Sequence, residues 1–171
     1  MKEYNHTSKK IFINFCLQTG KNTGLNENTS NPRWGWSDGY REKDCRMMEV
    51  KDGRPAIYCK TRKEWRKWLN ENCETEKSIW LILHKKNSTK ACVSLIEATE
   101  EAVCFGWIDS LCKKRDEESY YLTFTLRNPK RSNWSDRNIE RAERMIEQGL
   151  MTGHGLKFIE IAKEKGKWKE T

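Results

Sequence analysis

The chain has 171 residues, which corresponds to about one domain with some additional length, because a domain commonly contains on the order of 150 residues. Lys and Arg number 33 against 25 Asp and Glu, so the formal net charge is +8, and 34% of the residues are charged. These values exclude a large multidomain enzyme and are typical of a soluble, basic protein. Only 36% of the residues are hydrophobic, but eight are Trp. Because one Trp can bury on the order of 200 Å², a few large side chains can build the core.

The start of the chain lacks the features of a signal peptide, since its longest apolar run, 11–17, is short and interrupted by Asn14. No segment of the sequence reaches the roughly 20 apolar residues that span a bilayer. We therefore expect a cytoplasmic protein without membrane insertion. In that compartment, cysteines without a C-x-x-C pair are expected to be small buried hydrophobes, and neither a metal site nor a cofactor is predicted. The seven cysteines are Cys16, Cys45, Cys59, Cys73, Cys92, Cys104 and Cys112.

The first part of the chain differs in composition from the rest. Residues 18–46 consist mainly of Asn, Thr, Gly, Ser and charged residues, with few large apolar groups besides Trp34 and Trp36. Such a segment cannot bury enough surface to offset the entropy lost on ordering. We predict a flexible leader over 1–50 and a single folded domain over 51–171. A start of the natural protein at Met47 or Met48 is an alternative, in which the leader is an upstream extension of the reading frame.

The first predicted elements of the domain are a helix and a strand. Thr61 and Glu64 have the spacing of a capping box, and Trp65, Trp68 and Leu69 share one helical face, which predicts a helix over 62–73. The run 78–84 is apolar at consecutive positions. This pattern, apolar on both faces, favours a central strand covered by helices.

A second helix, two strands and two further helices follow. Ser94 and Glu97 form a second capping box, which predicts a helix to Phe105 with Gly106 as its terminator. Alternation of apolar and polar residues predicts strands over 107–112 and 120–127, joined by a charged turn. Helices are predicted over 136–148 and 155–165, with inner faces formed by Ile139, Ala142, Ile146, Leu156, Ile159 and Ala162. The order of elements predicts an α+β fold, a small mainly antiparallel sheet with helices packed on it.

Two carboxylates of the second helix are candidate catalytic groups. Glu97 and Glu101 are four residues apart and project from one helical face, on which Cys104 also lies. Such groups could relay a proton or bind a metal. The alternative is structural, because a carboxylate in the first turn completes the capping box and complements the helix dipole.

Asp109 is a third weak catalytic candidate. It points to the same side of its strand as Trp107. A carboxylate beside an aromatic ring suits a planar or cationic ligand. The alternative is a buried Trp next to a carboxylate that accepts structural hydrogen bonds.

Basic residues flank the two paired strands. Lys113 and Lys114 lie in the turn, and Arg127 and Arg131 lie near the end of the second strand. With neighbouring aromatic residues, they could neutralise phosphates and stack on bases, which is a hypothesis of nucleic-acid binding. Because the acidic run 116–118 follows the first pair and no nucleic-acid-binding motif is present, solvated surface charge is the alternative.

Three segments carry a resemblance to a known family. They are 97–110 (EATEEAVCFGWIDS), 116–127 with DEESY and FTLR, and 132–139 with SNWS and NI. Over roughly 56–162 the chain resembles the YdeI/OmpD-associated family, also called bacteriocin-protection proteins. The resemblance implies a small cytoplasmic protein linked to tolerance of cationic antimicrobial peptides and to an outer-membrane porin, with no established catalytic residue. The family's Arg-rich C-terminal helical segment has no counterpart before Thr171.

The leading hypothesis is an accessory or stress-tolerance protein that binds an unknown protein or small molecule. Direct capture of a cationic peptide is disfavoured, because a charge of +8 repels it at long range. A nucleic-acid-binding module and an enzyme of unknown reaction remain alternatives, and the oligomeric state is open. The residues predicted to bind the ligand or partner are Trp107, Asp109, Tyr120, Phe124, Arg127, Trp134 and Asn138.

Overall fold

The structure, a computed structural model, describes residues 45–169. In this part of the chain, five strands form one sheet that carries four helices. The strands are β1 (Arg46–Lys51), β2 (Arg54–Tyr58), β3 (Ser78–His84), β4 (Trp107–Lys114) and β5 (Ser119–Leu126). The helices are α1 (Arg62–Asn72), α2 (Leu95–Cys104), α3 (Asp136–Glu147) and α4 (Gly153–Glu164). Every helix and strand predicted after residue 60 forms, with ends shifted by at most a few residues.

The strands lie in the order β1-β2-β3-β5-β4. β2 and β3 are parallel, since α1 crosses over between them, and the other neighbouring pairs are antiparallel. The predicted α+β class, a mainly antiparallel sheet with helices packed on it, is confirmed. β3 lies in the middle of the sheet, as its apolar sequence predicts.

The hairpin of β1 and β2 includes positions that composition assigned to the leader. Lys51 pairs with Arg54 across a two-residue turn, in which Asp52 and Gly53 have φ angles of 50° and 70°. Positive φ at both positions defines a type I′ turn, for which Asp-Gly is a preferred sequence. Residues 46–50 therefore belong to the sheet, and the Asp-Gly pair is the signal that indicates it. The rest of the predicted leader lies outside the described residues.

A disulfide joins Cys45 and Cys59 at the open end of this hairpin. Arg46 pairs with Tyr58, so the next pair outward consists of the two cysteines, whose Cα atoms are 4.4 Å apart. This separation is typical of an antiparallel pair without hydrogen bonds between its members. The sequence predicts mostly small buried hydrophobic cysteines; Cys45 and Cys59 are buried, but they are also bonded to each other. The bond depends on a strand register that the spacing of cysteines does not reveal. Two of the four free cysteines described are buried as expected, and Cys16 lies outside the described residues.

The helices cover one face of the sheet and enclose an aromatic core. The rings of Trp65 and Trp68 in α1 stack with their centroids 5.3 Å apart, and Trp65 also lies 5.2 Å from Phe124 of β5. α2 is the central helix, since it contacts α1, α3, α4 and β4. Consequently, contacts with α2 determine where β4, α3 and α4 lie.

Two inward-facing positions differ from the prediction. Ile146 and Leu156 are 43% and 39% exposed, whereas Met145 is 1% exposed. Residues 145 and 146 both lie near the predicted apolar face of a helix with 3.6 residues per turn. Packing of α3 against α2 selects Met145, which also contacts Arg62 of α1.

The other face of the sheet encloses a second, smaller cluster instead of a helix layer. This cluster contains Ala56, Trp80, Ile82 and Tyr121. Lys113 of β4 pairs with Asp52 at 2.8 Å, and Arg115 pairs with Glu49 of β1 at 2.7 Å. In a flat sheet, β1 and β4 would lie about 19 Å apart. The sheet therefore curls until its edges meet, and the helices lie on one face of it, as the predicted α+β architecture has them.

Candidate functional site

Glu101 belongs to an ion-pair network that joins three helices. It is 1% exposed, and its two oxygens accept hydrogen bonds from Arg62 Nε at 2.5 Å and Arg66 Nη1 at 2.6 Å. The neighbouring Glu100 pairs with Arg62 of α1 and Arg144 of α3, both at 2.8 Å. These carboxylates are fully engaged with arginines, so Glu101 connects α1 to α2 and does not present a free catalytic group.

The other residues of the predicted acidic stripe also have structural roles. Glu97 Oε2 accepts from the Ser94 backbone N–H at 3.0 Å, and Glu97 N–H donates to Ser94 Oγ at 3.2 Å, which completes the predicted capping box. The backbone hydrogen bond from Ser94 is the main cause that lowers the pKa of Glu97. Burial raises the pKa of the Cys104 thiol to about 11, so it stays protonated at neutral pH. The stripe assembles no activated nucleophile.

The central aromatic residues of the predicted binding surface fill the core. Trp107 and Phe124 are 1% and 0% exposed, and both lie in the main cluster between the sheet and the helices. Tyr120 packs partly against that cluster, and it lies about 24 Å along β5 from Arg127. These three residues therefore do not line a common ligand surface.

Arg127, directly after β5, is the charged residue that the core accommodates least well. It is 3% exposed, and its guanidinium carbon lies 3.7 Å from the centroid of the Trp134 ring. Its Nη1 donates a long hydrogen bond of 3.4 Å to the Asn133 carbonyl, while Nε is buried and has no partner among the described residues. Burial lowers the pKa of Arg127 to about 10, which still leaves it charged at neutral pH. A buried cation with an unused donor is costly to the fold unless a partner completes its hydrogen bonds.

An open pocket lies beside this guanidinium, between the loop after β5 and α4. It is shallow, because its interior volume is only about 10 Å³, close to what one water molecule needs. Ligand pockets commonly measure about 300–1,000 Å³, so this one does not enclose a drug-sized ligand. Its lining residues are Arg127, Pro129, Ser132, Trp134, Phe158 and Ala162.

The position of α4 gives the pocket its second wall. Gly106 has a φ of 72°, and the Phe158 ring occupies the space that a Cβ at this position would need. Gly155 lies against the Cys104 carbonyl with no room for a side chain. Thr152 Oγ1 donates to the same carbonyl at 2.5 Å. These close contacts fix Phe158 opposite the Arg127 loop.

Lysines at and just after the C-terminal end of α4 lie near the loop that lines the pocket. Lys165 Nζ and Lys167 Nζ donate to the carbonyls of Pro129 and Lys130, at 3.3 and 2.9 Å. Lys163 Nζ lies 5.5 Å from the centroid of the Trp168 ring, which in turn lies 5.0 Å from Trp134. Lys165 and Lys167 therefore connect the loop at 129–130 to the segment after α4.

Two further predicted residues lie near Arg127 without contacting it directly. Asp109 is half-buried and acts on Arg127 through its charge, while Arg141 of α3 acts on it with the opposite sign. Asn138 Oδ1 accepts from Arg141 Nη1 at 2.6 Å, and Arg141 Nε is another buried donor without a partner in the described part of the chain. Of the seven predicted binding residues, Arg127 and Trp134 line the pocket, and Asp109 and Asn138 belong to its surroundings.

The basic residues of the nucleic-acid hypothesis do not form one surface. Lys113 pairs with Asp52, and Lys114 pairs with Glu117, so both charges are balanced locally. Arg127 is buried at the opposite end of β5, near the exposed Arg131. Thus the predicted basic residues at one end of the two strands are paired with carboxylates, and Arg127 at the other end is buried.

The sequence reasoning missed Arg141, Phe158, Trp168 and the lysines at and after the end of α4. A single Trp near the end of a lysine-rich segment gives no indication that its ring meets Trp134. Within residues 45–169, no three His, Cys, Asp or Glu side chains converge to bind a metal. None of the helices in this range has the length and apolar character needed to cross a membrane.

Comparisons with known proteins give one match. The model of a family described as a domain of unknown function, DUF8412, matches residues 57–158. This range contains Arg127, Trp134 and Phe158, and it ends before Trp168. No curated protein and no solved structure matches the chain.

Proposed function

The chain belongs to the DUF8412 family, and we propose that it is an accessory or stress-tolerance protein that acts by binding, without catalysing a reaction. The resemblance to bacteriocin-protection proteins supports the stress-tolerance role. The binding surface is the one around the shallow pocket beside Arg127, and its occupant is a small ligand or one end of a protein partner.

The observation that carries this proposal is the state of Arg127. A buried arginine that stacks on Trp134 and leaves Nε without a partner destabilises the ligand-free fold. Such an arrangement is typical of a site that is completed when an anion binds. Two of the three candidate catalytic carboxylates have structural roles instead, because Glu101 is paired with arginines and Glu97 caps a helix.

The experiment is a protection assay in a bacterium that is sensitive to a cationic antimicrobial peptide. The full chain is expressed and survival is compared with that of the empty vector, of the Arg127→Met variant and of an exposed-surface control, Arg137→Met, on α3. We expect the native chain and the control to raise survival and Arg127→Met to lose the effect. No gain from the native chain at a verified soluble level contradicts the stress-tolerance role, and protection by Arg127→Met contradicts the site.

A second measurement separates indirect protection from capture of the peptide itself. The overall charge of +8 and the lysines near the loop at 129–130 both repel a cationic peptide. Calorimetric titration of the full chain with the peptide at low salt is therefore expected to give no measurable binding. A dissociation constant in the low micromolar range or tighter contradicts the indirect mechanism.

A further inference from the structure

The disulfide between Cys45 and Cys59 lies in a chain whose other described cysteines are free. These free cysteines are Cys73, Cys92, Cys104 and Cys112. Cys112 is exposed. An exposed free thiol is typical of a reducing compartment, because oxidising compartments convert such thiols to disulfides. A protein disulfide in a reducing compartment is usually transient and redox-sensing, so the cysteine usage separates this bond from the permanent disulfides of small secreted domains.

The β1–β2 hairpin holds the two sulfurs opposite each other independently of the bond. Its ladder is closed by the turn at 52–53 and extends to the pair of Arg46 and Tyr58, directly inside the cysteines. The Cα atoms of Cys45 and Cys59 are 4.4 Å apart, which a disulfide spans, since its usual range is about 4.4–6.8 Å. Both side chains are buried in the main core cluster, where two thiols also fit as small hydrophobes. The bond can therefore break and re-form while the rest of the domain stays folded.

A bulge separates the cysteine end of this ladder from its turn end. The register shifts between Met47 and Glu49, and the intervening Met48 is 52% exposed. A bulge interrupts the ladder hydrogen bonds, so the outer pairs at 46–47 are separated from the inner pairs at 49–51. Because small units of a fold open at a lower free-energy cost than the whole domain, the outer end can open by itself. Such opening exposes the buried sulfurs to a redox partner.

We propose that Cys45 and Cys59 form a reversible redox switch, which closes the outer end of the β1–β2 hairpin when oxidised and allows it to open when reduced. The partner is a small thiol–disulfide couple of the glutathione class. On oxidation, the thiolate of one cysteine attacks the disulfide of oxidised glutathione, forms a mixed disulfide and releases one glutathione thiol. The second cysteine attacks the protein sulfur of the mixed disulfide and releases the other glutathione thiol. The protein loses two electrons and two protons, and glutathione gains both.

The switch acts at the point where residues 1–44 join the sheet. Cys59 belongs to a fixed part of the core, since its carbonyl accepts a hydrogen bond from the Val93 N–H at 3.1 Å, just before α2. The bond therefore ties Cys45 to a position that the helices hold. This inference goes beyond the proposed function, because it involves neither Arg127 nor the surface around it.

The first test measures the redox state of the full chain after equilibration in two glutathione buffers, starting from the oxidised and from the reduced protein. One buffer contains about 1 mM of each form, and the other about 10 mM reduced with about 1 μM oxidised glutathione, so that they bracket a cytosolic glutathione pool. Free thiols are blocked with N-ethylmaleimide, and peptide masses give the bonded fraction of Cys45 and Cys59. We expect more than half to be bonded in the first buffer and less than half in the second. A bond that persists in both buffers is a permanent structural disulfide, and a bond that forms in neither is not a switch; either result overturns the proposal.

The second test is brief tryptic digestion of the full chain in the same two buffers. Arg46 lies outside the bulge, so cleavage after it reports on opening of the outer end. We expect this cleavage to be at least about tenfold faster in the reduced protein, because the cross-link no longer holds the outer end closed. Cleavage by local opening leaves the fragment 47–171 intact, whereas unfolding of the whole domain exposes many sites together.

Two variants are the controls for the digestion. Cys59→Ser should show the rapid cleavage after Arg46 in both buffers, and Cys112→Ser, which removes an exposed free thiol, should respond to the buffers as the native chain does. Equal cleavage rates in the oxidised and reduced native chain overturn the proposal. Degradation of the reduced chain without accumulation of the fragment 47–171 also overturns it, because the bond then stabilises only the domain as a whole.

Discussion

Replacement of Arg127 by Met separates a binding role from a structural one, because the two roles predict opposite changes in stability. Burial lowers the pKa of Arg127 from its ordinary value of 12.5 to about 10. At about 1.4 kcal/mol per pKa unit, the charged form is disfavoured in the folded state by on the order of 3 kcal/mol. Stacking on Trp134 offsets about 1–2 kcal/mol of this. The Met side chain can pack on the Trp134 ring without carrying a charge, so the free energy of unfolding of the variant should be higher by roughly 1–2 kcal/mol.

The pH dependence of this gain follows from the direction of the pKa shift. Because the folded-state pKa lies below that of the unfolded chain, the penalty is fully present at every pH below about 10 and is relieved only as pH rises above that value. The gain from Arg127→Met should therefore be the same at pH 6 and pH 8.

The assay is thermal unfolding of the full chain, followed by tryptophan fluorescence and circular dichroism without ligand. A gain of this size corresponds to an increase in Tm of about 2–8 °C for a domain of this length. Arg137→Met, which changes an exposed arginine, should leave Tm within about 2 °C. A lower Tm for Arg127→Met would falsify the reasoning, since it would mean that the bond to the Asn133 carbonyl stabilises the loop more than the buried charge destabilises it.

Three further substitutions test the framework around the site. Glu101→Gln should lower the free energy of unfolding by about 2 kcal/mol, because it leaves two part-exposed arginines of α1 without their buried partner. The control, Glu97→Gln, keeps the capping box and should change the free energy of unfolding by less than about 0.5 kcal/mol. Equal losses for the two variants in urea titrations would argue against the ion-pair network. Gly155→Ala should lower the free energy of unfolding by about 2 kcal/mol, because the added Cβ overlaps the Cys104 carbonyl at the end of α2. The control, Gly153→Ala, lies in open space on the same turn and should be neutral or stabilising. Similar Tm values for the two variants would refute the close approach of Gly155 to α2. Cys45→Ser should lower stability by about 3 kcal/mol under oxidising conditions, because the disulfide closes a loop across a sequence separation of 14, and the difference should disappear in reductant.

The elements from residue 60 onward could be predicted because their signals are local. The capping box at Ser94 and Glu97 and the apolar run of β3 specify structure through neighbouring residues in the chain, and both form where expected. The β1–β2 hairpin also has a local signal, the Asp52-Gly53 turn. The polar composition around it outweighed that signal in the prediction of the leader.

The candidate site could be predicted only in part. Arg127 and Trp134 were both included in the binding surface, but so were Trp107 and Phe124, which the core buries completely. An aromatic residue beside a charged one has the same sequence pattern whether the ring faces a ligand or a helix. Which of these applies depends on whether another element covers the residue.

The sequence by itself determined the class of fold, the order of the elements after residue 60 and the basic charge, since each depends on composition or on neighbouring residues. The tertiary structure alone decided which charges are balanced and which are not. Glu101 meets two arginines from α1, whereas Arg127 is buried beside Trp134 with an unused donor and a pocket next to it. The physical reason is that the energy of a buried charge depends on partners brought from distant segments, and the contacts of α2 and α4 with the sheet place those partners.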